Sequence, residues 1–203
     1  MTNYSIDEII NVMQAKNYKI FDEGAYNLNL VGIRNTDDPN ANTFNDLFCC
    51  FYKDETNNWQ INYWACTTDP GLTIRVTPMN TKFGTAILVP NQYRAGWKIG
   101  THAAGTAFAH LALRQNKPVK LYRDRDLDTE LDFDVTDIQE GMYGINIHRA
   151  SAWNDAAEVN NWSAGCQVIQ NKANQEKLME LCKKAAETYG DVFTYTLLES
   201  SDF

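Results

Sequence analysis

Histidine is scarce in this 203-residue chain: there are three, His102, His110 and His148. A metal site and an acid–base site would therefore have to compete for them. No Cys-x-x-Cys pair occurs, which removes the usual zinc-ribbon and dithiol motifs. No apolar run reaches eighteen residues, so no transmembrane helix is expected. Lys and Arg number 18 against 26 acidic residues, a net charge of −8, and no stretch concentrates the basic ones. A nucleic-acid-binding surface is not expected from that balance. Internal repeats and low-complexity linkers are also missing, and the length suits one α+β domain able to bury a core without disulfides.

Five cysteines are present, an odd number, so at least one stays unpaired within the chain. The simplest account is reduced thiols and synthesis in a reducing compartment. Cys49 and Cys50 are adjacent and, in an extended strand, point to opposite faces. Ten Tyr, nine Phe and five Trp suit strands and a lined cleft. The first residues, Met1-Thr2-Asn3-Tyr4-Ser5, have neither a basic nor an apolar region of a signal peptide.

Ser5-Ile6-Asp7-Glu8 is a capping box, and Ile6, Ile9, Ile10 and Met13 recur at helical spacing, predicting a helix over 5–17. Strands are predicted at 26–33, 73–76, 85–89, 119–123, 144–148 and 192–198, and a hairpin from 47–52 and 59–66. The segment 35–45 reads as a loop. A helix is predicted over 101–115, with His102 at its start and His110 one or two turns further in. A second covers 174–189, where Leu178, Leu181, Cys182, Ala185 and Tyr189 share a face and Gly190 stops it.

The densest chemistry lies in Gly144-Ile145-Asn146-Ile147-His148-Arg149 and Asn161-Trp162-Ser163-Ala164-Gly165-Cys166-Gln167-Val168-Ile169. An apolar strand delivers a histidine, and a Ser-x-Gly-Cys turn delivers a cysteine eighteen positions later (166 − 148). A thiol beside an imidazole is a nucleophile–base pair. Small residues at 164 and 165 allow a tight turn with backbone N–H groups available to an oxyanion.

This pattern resembles the catalytic signature of the L,D-transpeptidase (YkuD-type) family, over roughly 82–170 and most specifically over 144–169. The resemblance implies an α+β, mainly β sheet sandwich with an N-terminal and a C-terminal helix. The chain is expected to divide into 1–80, an N-terminal helix plus strands that either shape the substrate site or belong to the same sheet, and 81–203, the L,D-transpeptidase-like catalytic region. The resemblance makes Cys166 the nucleophile, His148 the base and the Arg149 carbonyl the group that orients the imidazole, with the Ser163 side chain and the Gly165 and Cys166 amides shaping the turn and the oxyanion site. Ser163, Trp162, Tyr143 and His102 are then the candidate substrate-binding residues. The family's second histidine is Ala164 here, and its Arg or Asn two places after the cysteine is Val168. The implied reaction is cysteine-dependent acyl transfer on peptidoglycan stem peptides, with no metal and no organic cofactor. Loss of the Arg or Asn leans it toward L,D-carboxypeptidase or endopeptidase action, with cross-linking as the alternative. A wall enzyme with no leader in its sequence suggests cytoplasmic synthesis with phage-type release, as in endolysins, or a leader already removed. A non-enzymatic virion or wall-binding module of the same fold is a further alternative.

Three other motifs invite interpretation. His102-Ala103-Ala104-Gly105-Thr106-Ala107 echoes zinc D,D-peptidases, but Ala109 stands where an aspartate is needed and no Glu-x-x-His follows. The run from Asp124 to Asp132 begins like an EF-hand loop, with Thr129 instead of Gly at the sixth position and Val135 instead of Glu at the twelfth. With Arg123 and Arg125 interspersed, it is expected to be an acidic, solvated hairpin. Thr67-Thr68-Asp69-Pro70-Gly71 has the composition of a type II turn.

Overall fold

The computed structural model describes residues 4–79 and 82–203. The boundary expected between 80 and 81 lies outside the described residues. The architecture is α+β and mainly β. In chain order it runs α1 (Ile6–Ala15), β1 (Asn29–Arg34), β2 (Asp46–Lys53), β3 (Trp59–Thr67), α2 (Leu72–Val76), β4 (Thr85–Leu88) and β5 (Asn91–His102). Then follow β6 (His110–Gln115), β7 (Val119–Asp124), β8 (Gln139–Gly141), β9 (Ile147–Arg149), β10 (Gln167–Ile169), α3 (Lys172–Tyr189) and β11 (Val192–Glu199). Eight strands close into a barrel in the order β1-β11-β5-β6-β9-β10-β3-β2, and β4-β7-β8 form a separate small sheet. Strands from residues 29–67 are thus hydrogen-bonded neighbours of strands from the C-terminal half.

Alternation along β1 and β2 explains their two-sided burial. Leu30, Phe48 and Cys50 join the main core, while Val31, Ile33, Cys49 and Phe51 face out and are covered by Ile9 and Met13 of α1. The helix starts at the Ser5–Glu8 capping box, each side chain accepting the other's backbone N–H at 3.2 and 2.8 Å. The main core is rich in aromatic rings: Tyr195 lies 5.7 Å from Phe48 and 5.2 Å from Trp97, centroid to centroid. The indole N–H of Trp97 donates to the Ile145 carbonyl at 2.8 Å, so burying it strands no donor. Leu178, Leu181, Cys182 and Ala185 of α3 enter the same core, and Gly190 at φ 83° ends that helix.

The predicted helix over 101–115 is instead a β-hairpin. The end of β5 and the whole of β6 pair antiparallel, with Gly100 opposite Ala112 and His102 opposite His110. Its connecting turn holds Ala103 and Gly105 at φ 50° and 82°. Alanine and leucine favour helix weakly, by tenths of a kcal/mol per residue, and strand pairing within a closed barrel outweighs that. The predicted strand over 73–76 is the short helix α2, and of 144–148 only Ile147–Arg149 is strand, because Gly144 turns the chain at φ 76°. Gly71 takes φ −75°, so 69–71 is not a type II turn. Glycine is required there by proximity: a Cβ would lie 2.1 Å from the Asn160 carbonyl oxygen.

Beneath the site runs a buried polar knot. Arg34 pairs with Asp69 at 2.9 Å and donates to the Leu88 carbonyl at 3.0 Å. Asp46 accepts from the Thr68 N–H and hydroxyl at 2.6 and 2.9 Å. These contacts fix the chain at 67–71, where the Gly71 N–H donates to the Ser163 carbonyl at 3.0 Å and the Thr68 carbonyl accepts from Gln167 at 3.3 Å. The knot thus holds both ends of the Ser163–Gln167 turn.

Candidate active site

The parallel pairing of β9 with β10 brings the two motif segments together, with Ile147 opposite Gln167 and His148 opposite Val168. Cys166 immediately precedes β10, and the Gln167 N–H donates to the Asn146 carbonyl at 2.9 Å. The turn before Cys166 is built by Ser163, whose hydroxyl donates to the Cys166 carbonyl at 2.8 Å and accepts from the Gly165 N–H at 3.2 Å. Gly165 adopts φ 110°, and a Cβ there would lie 2.5 Å from the Ala86 carbonyl oxygen of β4. Only glycine allows the nucleophile turn to sit this close to the small sheet.

Two site expectations are corrected by this turn. Ser163 was expected both to shape the turn and to meet the substrate, but it is fully buried and its hydroxyl is occupied within the turn, which leaves only the first role. The Gly165 and Cys166 N–H groups were both expected at an oxyanion, but that of Gly165 donates to Ser163. The bonds that build the turn do not use the Cys166 N–H.

His148 is buried, and its Nδ1 lies 2.8 Å from the Arg149 carbonyl. A carbonyl can only accept, so the proton sits on Nδ1 and the Nε2 lone pair is left as the basic site. Asn146 fixes the next ring. Its Oδ1 accepts from the Gln115 backbone N–H at 3.0 Å, so its amide NH2 is the group 3.2 Å from His102 Nδ1. His102 therefore accepts at Nδ1. It stacks on His148 with centroids 3.8 Å apart and planes 15° from parallel, and His110 closes the group at 5.2 and 5.9 Å from the other two rings. All three histidines of the chain meet here. Stacked rings direct their nitrogens along separate planes, a geometry unsuited to one shared metal ion. Among the described residues, only Asp124, Asp126 and Asp132 bring three possible ligand atoms within 4.8 Å of one another.

The Cys166 thiol donates to the Gly144 carbonyl at 3.5 Å, and Sγ accepts from the Asn146 N–H at 3.4 Å. No hydrogen bond joins it to His148. Burial pushes the thiol up to about 11, opposed in part by the Asn146 N–H. Burial, then the neighbouring His102, lowers His148 to about 3. Both groups are thus neutral at rest.

Cys166, His148, His102, Tyr143 and Trp162 line one cavity of about 600 Å³, together with Arg123. Four of the expected substrate or catalytic side chains therefore share a surface with the thiol. Sequence reading missed three members. Asn146 ties the thiol to His102, and His110 packs against both other histidines. Arg123 enters the cavity from β7, its Nε donating to Gln139 at 3.1 Å and its guanidinium 4.7 Å above the Tyr143 ring. The flanking acidic run concealed Arg123; Asn146, two residues before the histidine, carried a readable signal as a buried amide in an apolar strand. Trp153 is 90% exposed at the rim of a neighbouring cavity of about 740 Å³, which also touches His102, His148 and Trp162.

Comparison with protein-family models, curated proteins and solved structures finds no match to this chain. Among the described residues, no helix is long and apolar enough to cross a membrane.

Proposed function

We propose that the chain is a cysteine-dependent acyl-transfer enzyme acting on peptidoglycan stem peptides, a divergent relative of the YkuD-type L,D-transpeptidases, and more hydrolytic than cross-linking. The observation that carries this reading is the shared cavity of Cys166 and His148, with Nδ1–H of the imidazole held on the Arg149 carbonyl and Nε2 left basic. Nε2 takes the thiol proton as Sγ attacks a peptide carbonyl, and the Cys166 N–H receives the oxyanion. The C–N bond breaks, Nε2–H protonates the departing amine, and a thioester remains. Water then attacks the thioester, gives its proton to Nε2, and the C–S bond breaks to restore the thiol. Arg123 supplies the cation that a stem-peptide carboxylate needs.

Cross-linking is the second reading, favoured by the neighbouring cavity on His148, which gives an amine acceptor a place to bind. Mass spectrometry of muropeptides, monomeric tetrapeptide and cross-linked dimer, incubated with wild type and Cys166→Ala, separates the two. Loss of terminal D-Ala or splitting of dimers, dependent on Cys166, supports hydrolysis, whereas new dimers support transfer. Identical spectra from both proteins on every substrate overturn the proposal.

A further inference from the structure

A second group of chemically active side chains lies at the far end of β7, away from Cys166. Asp124 closes that strand opposite Thr85 of β4, and the chain then runs without strand pairing to β8. The segment is acidic and solvated over 125–130, as expected, but it forms no hairpin, and its first carboxylate is buried. Asp124 is 2% exposed, and neither of its carboxylate oxygens has a hydrogen-bond partner. One of its oxygens and one each from the exposed Asp126 and Asp132 lie within 4.8 Å of one another.

The expected neutralisation by arginine also fails. Arg123 is turned to Gln139 and Tyr143, and Arg125 pairs with Asp137. Arg75 is buried close by, but its guanidinium donates to the Asn40 and Thr129 carbonyls and forms no ion pair with Asp124 within 4.0 Å. A buried carboxylate with no donor costs several kcal/mol, and two further carboxylates beside it deepen that cost.

We propose that Asp124, Asp126 and Asp132 form a binding site for a divalent cation of the calcium type. The ligands are hard carboxylate oxygens close enough together to share one cation, and such oxygens suit calcium. The loop is irregular, with Leu127 at φ 65°, and is held from outside by Arg75 on the Thr129 carbonyl and Asn40 on the Leu131 N–H. Such a loop can offer main-chain carbonyls and waters for the remaining positions, which suits calcium's flexible coordination better than the rigid octahedron of magnesium. Its position gives it a use. A Cβ on Gly84 would lie 2.0 Å from the Asp124 carbonyl oxygen, and Gly84, Thr85 and Ala86 line the catalytic cavity. A cation here pins the 125–134 loop to the back wall of that cavity.

The test is calorimetric titration of the chelator-treated full chain with calcium chloride, repeated with magnesium chloride. The expected result is one calcium per chain, with magnesium about tenfold weaker or more, and a higher midpoint of thermal unfolding in calcium. Asp126→Asn and Asp132→Asn replace exposed side chains, so both fold, and each weakens calcium binding about tenfold or more. Asp134→Asn, outside the trio, keeps it within about threefold. Absence of saturable uptake by wild type at millimolar calcium overturns the proposal, as does equal weakening by Asp134→Asn, and tighter binding of magnesium overturns the calcium assignment. Cys166→Ala retains the site, so this result stands or falls separately from the acyl-transfer chemistry.

Discussion

Replacing His148 with glutamine gives the sharpest test of the buried neutral pair. Glutamine keeps an N–H able to meet the Arg149 carbonyl and removes the titrating group. In the folded protein burial lowers His148 from 6.5 to about 3. The unfolded chain therefore binds a proton there that the folded chain refuses, throughout the window between those values. A depressed folded value gives stability that is complete above pH 6.5 and is lost as pH falls toward 3, with a slope of one proton, about 1.4 kcal/mol per pH unit. From above pH 7 down to about pH 4.5 the wild type should lose about 2–3 kcal/mol that the variant does not lose. Other groups titrate in the same range. His102, lowered to about 4, acts with the same sign, and Asp69, raised to about 7 by its burial, acts with the opposite one. Neither is removed by the substitution, so the difference between the two proteins isolates His148. Urea unfolding at a series of pH values, followed by tryptophan fluorescence, provides the measurement. A wild-type-minus-variant difference that stays constant between about pH 4.5 and pH 7, or that moves in wild type's favour as pH falls, refutes the reasoning.

Two further substitutions probe the walls of the site. Gly165→Ala places a side chain at φ 110° with its Cβ 2.5 Å from the Ala86 carbonyl oxygen, so the backbone of β4 or of the nucleophile turn must move. The expected loss is about 2–4 kcal/mol of stability together with most of the turnover, and an unchanged urea midpoint contradicts the packing described. Arg123→Gln should raise KM about tenfold for stem peptides ending in a free carboxylate, with kcat little changed and amidated substrates unaffected. Equal effects on free and amidated substrates remove Arg123 from carboxylate recognition.

The sequence carried the local signals well and the long-range ones poorly. The capping box at Ser5, the stop at Gly190 and the split of Cys49 and Cys50 between two faces follow from rules spanning a few residues, and each is found in the fold. The twelve residues of β5 escaped notice because Arg94 and Lys98 interrupt the apolar alternation, and Gly96 and Gly100 weaken it further. Ala95 at φ 55° and a register shift opposite, between Phe193 and Tyr195, also break the strand's regular period. With β5 unseen, the alanines after it read as helix. The site suffered in proportion. His148 and Cys166 were legible because each sits inside its own short motif. His102 and His110 could be seen to meet only once they stood opposite each other on a hairpin. The unneutralised state of Asp124 was hidden for the same reason, since the arginines beside it in sequence turn to Gln139 and Asp137 in space.

The position two residues after the nucleophile illustrates how the frame dictates residue type. Val168 is fully buried among Phe44, Ala150 and Val159, in a cluster against which Cys166 also packs. A guanidinium at that position would be desolvated with no carboxylate to meet it, at a cost of several kcal/mol. The cation that does line the cavity, Arg123, comes from the small sheet instead. Ala86 abuts Gly165 and is in register with Arg123, so one strand separation carries Arg123 from the nucleophile turn to the cavity wall. The Tyr143 ring beneath its guanidinium and the Gln139 carbonyl on its Nε fix the plane of the fork. A preorganised guanidinium loses less freedom on binding a carboxylate than a solvated one. The valine at 168 and the arginine at 123 are thus two consequences of one packing arrangement.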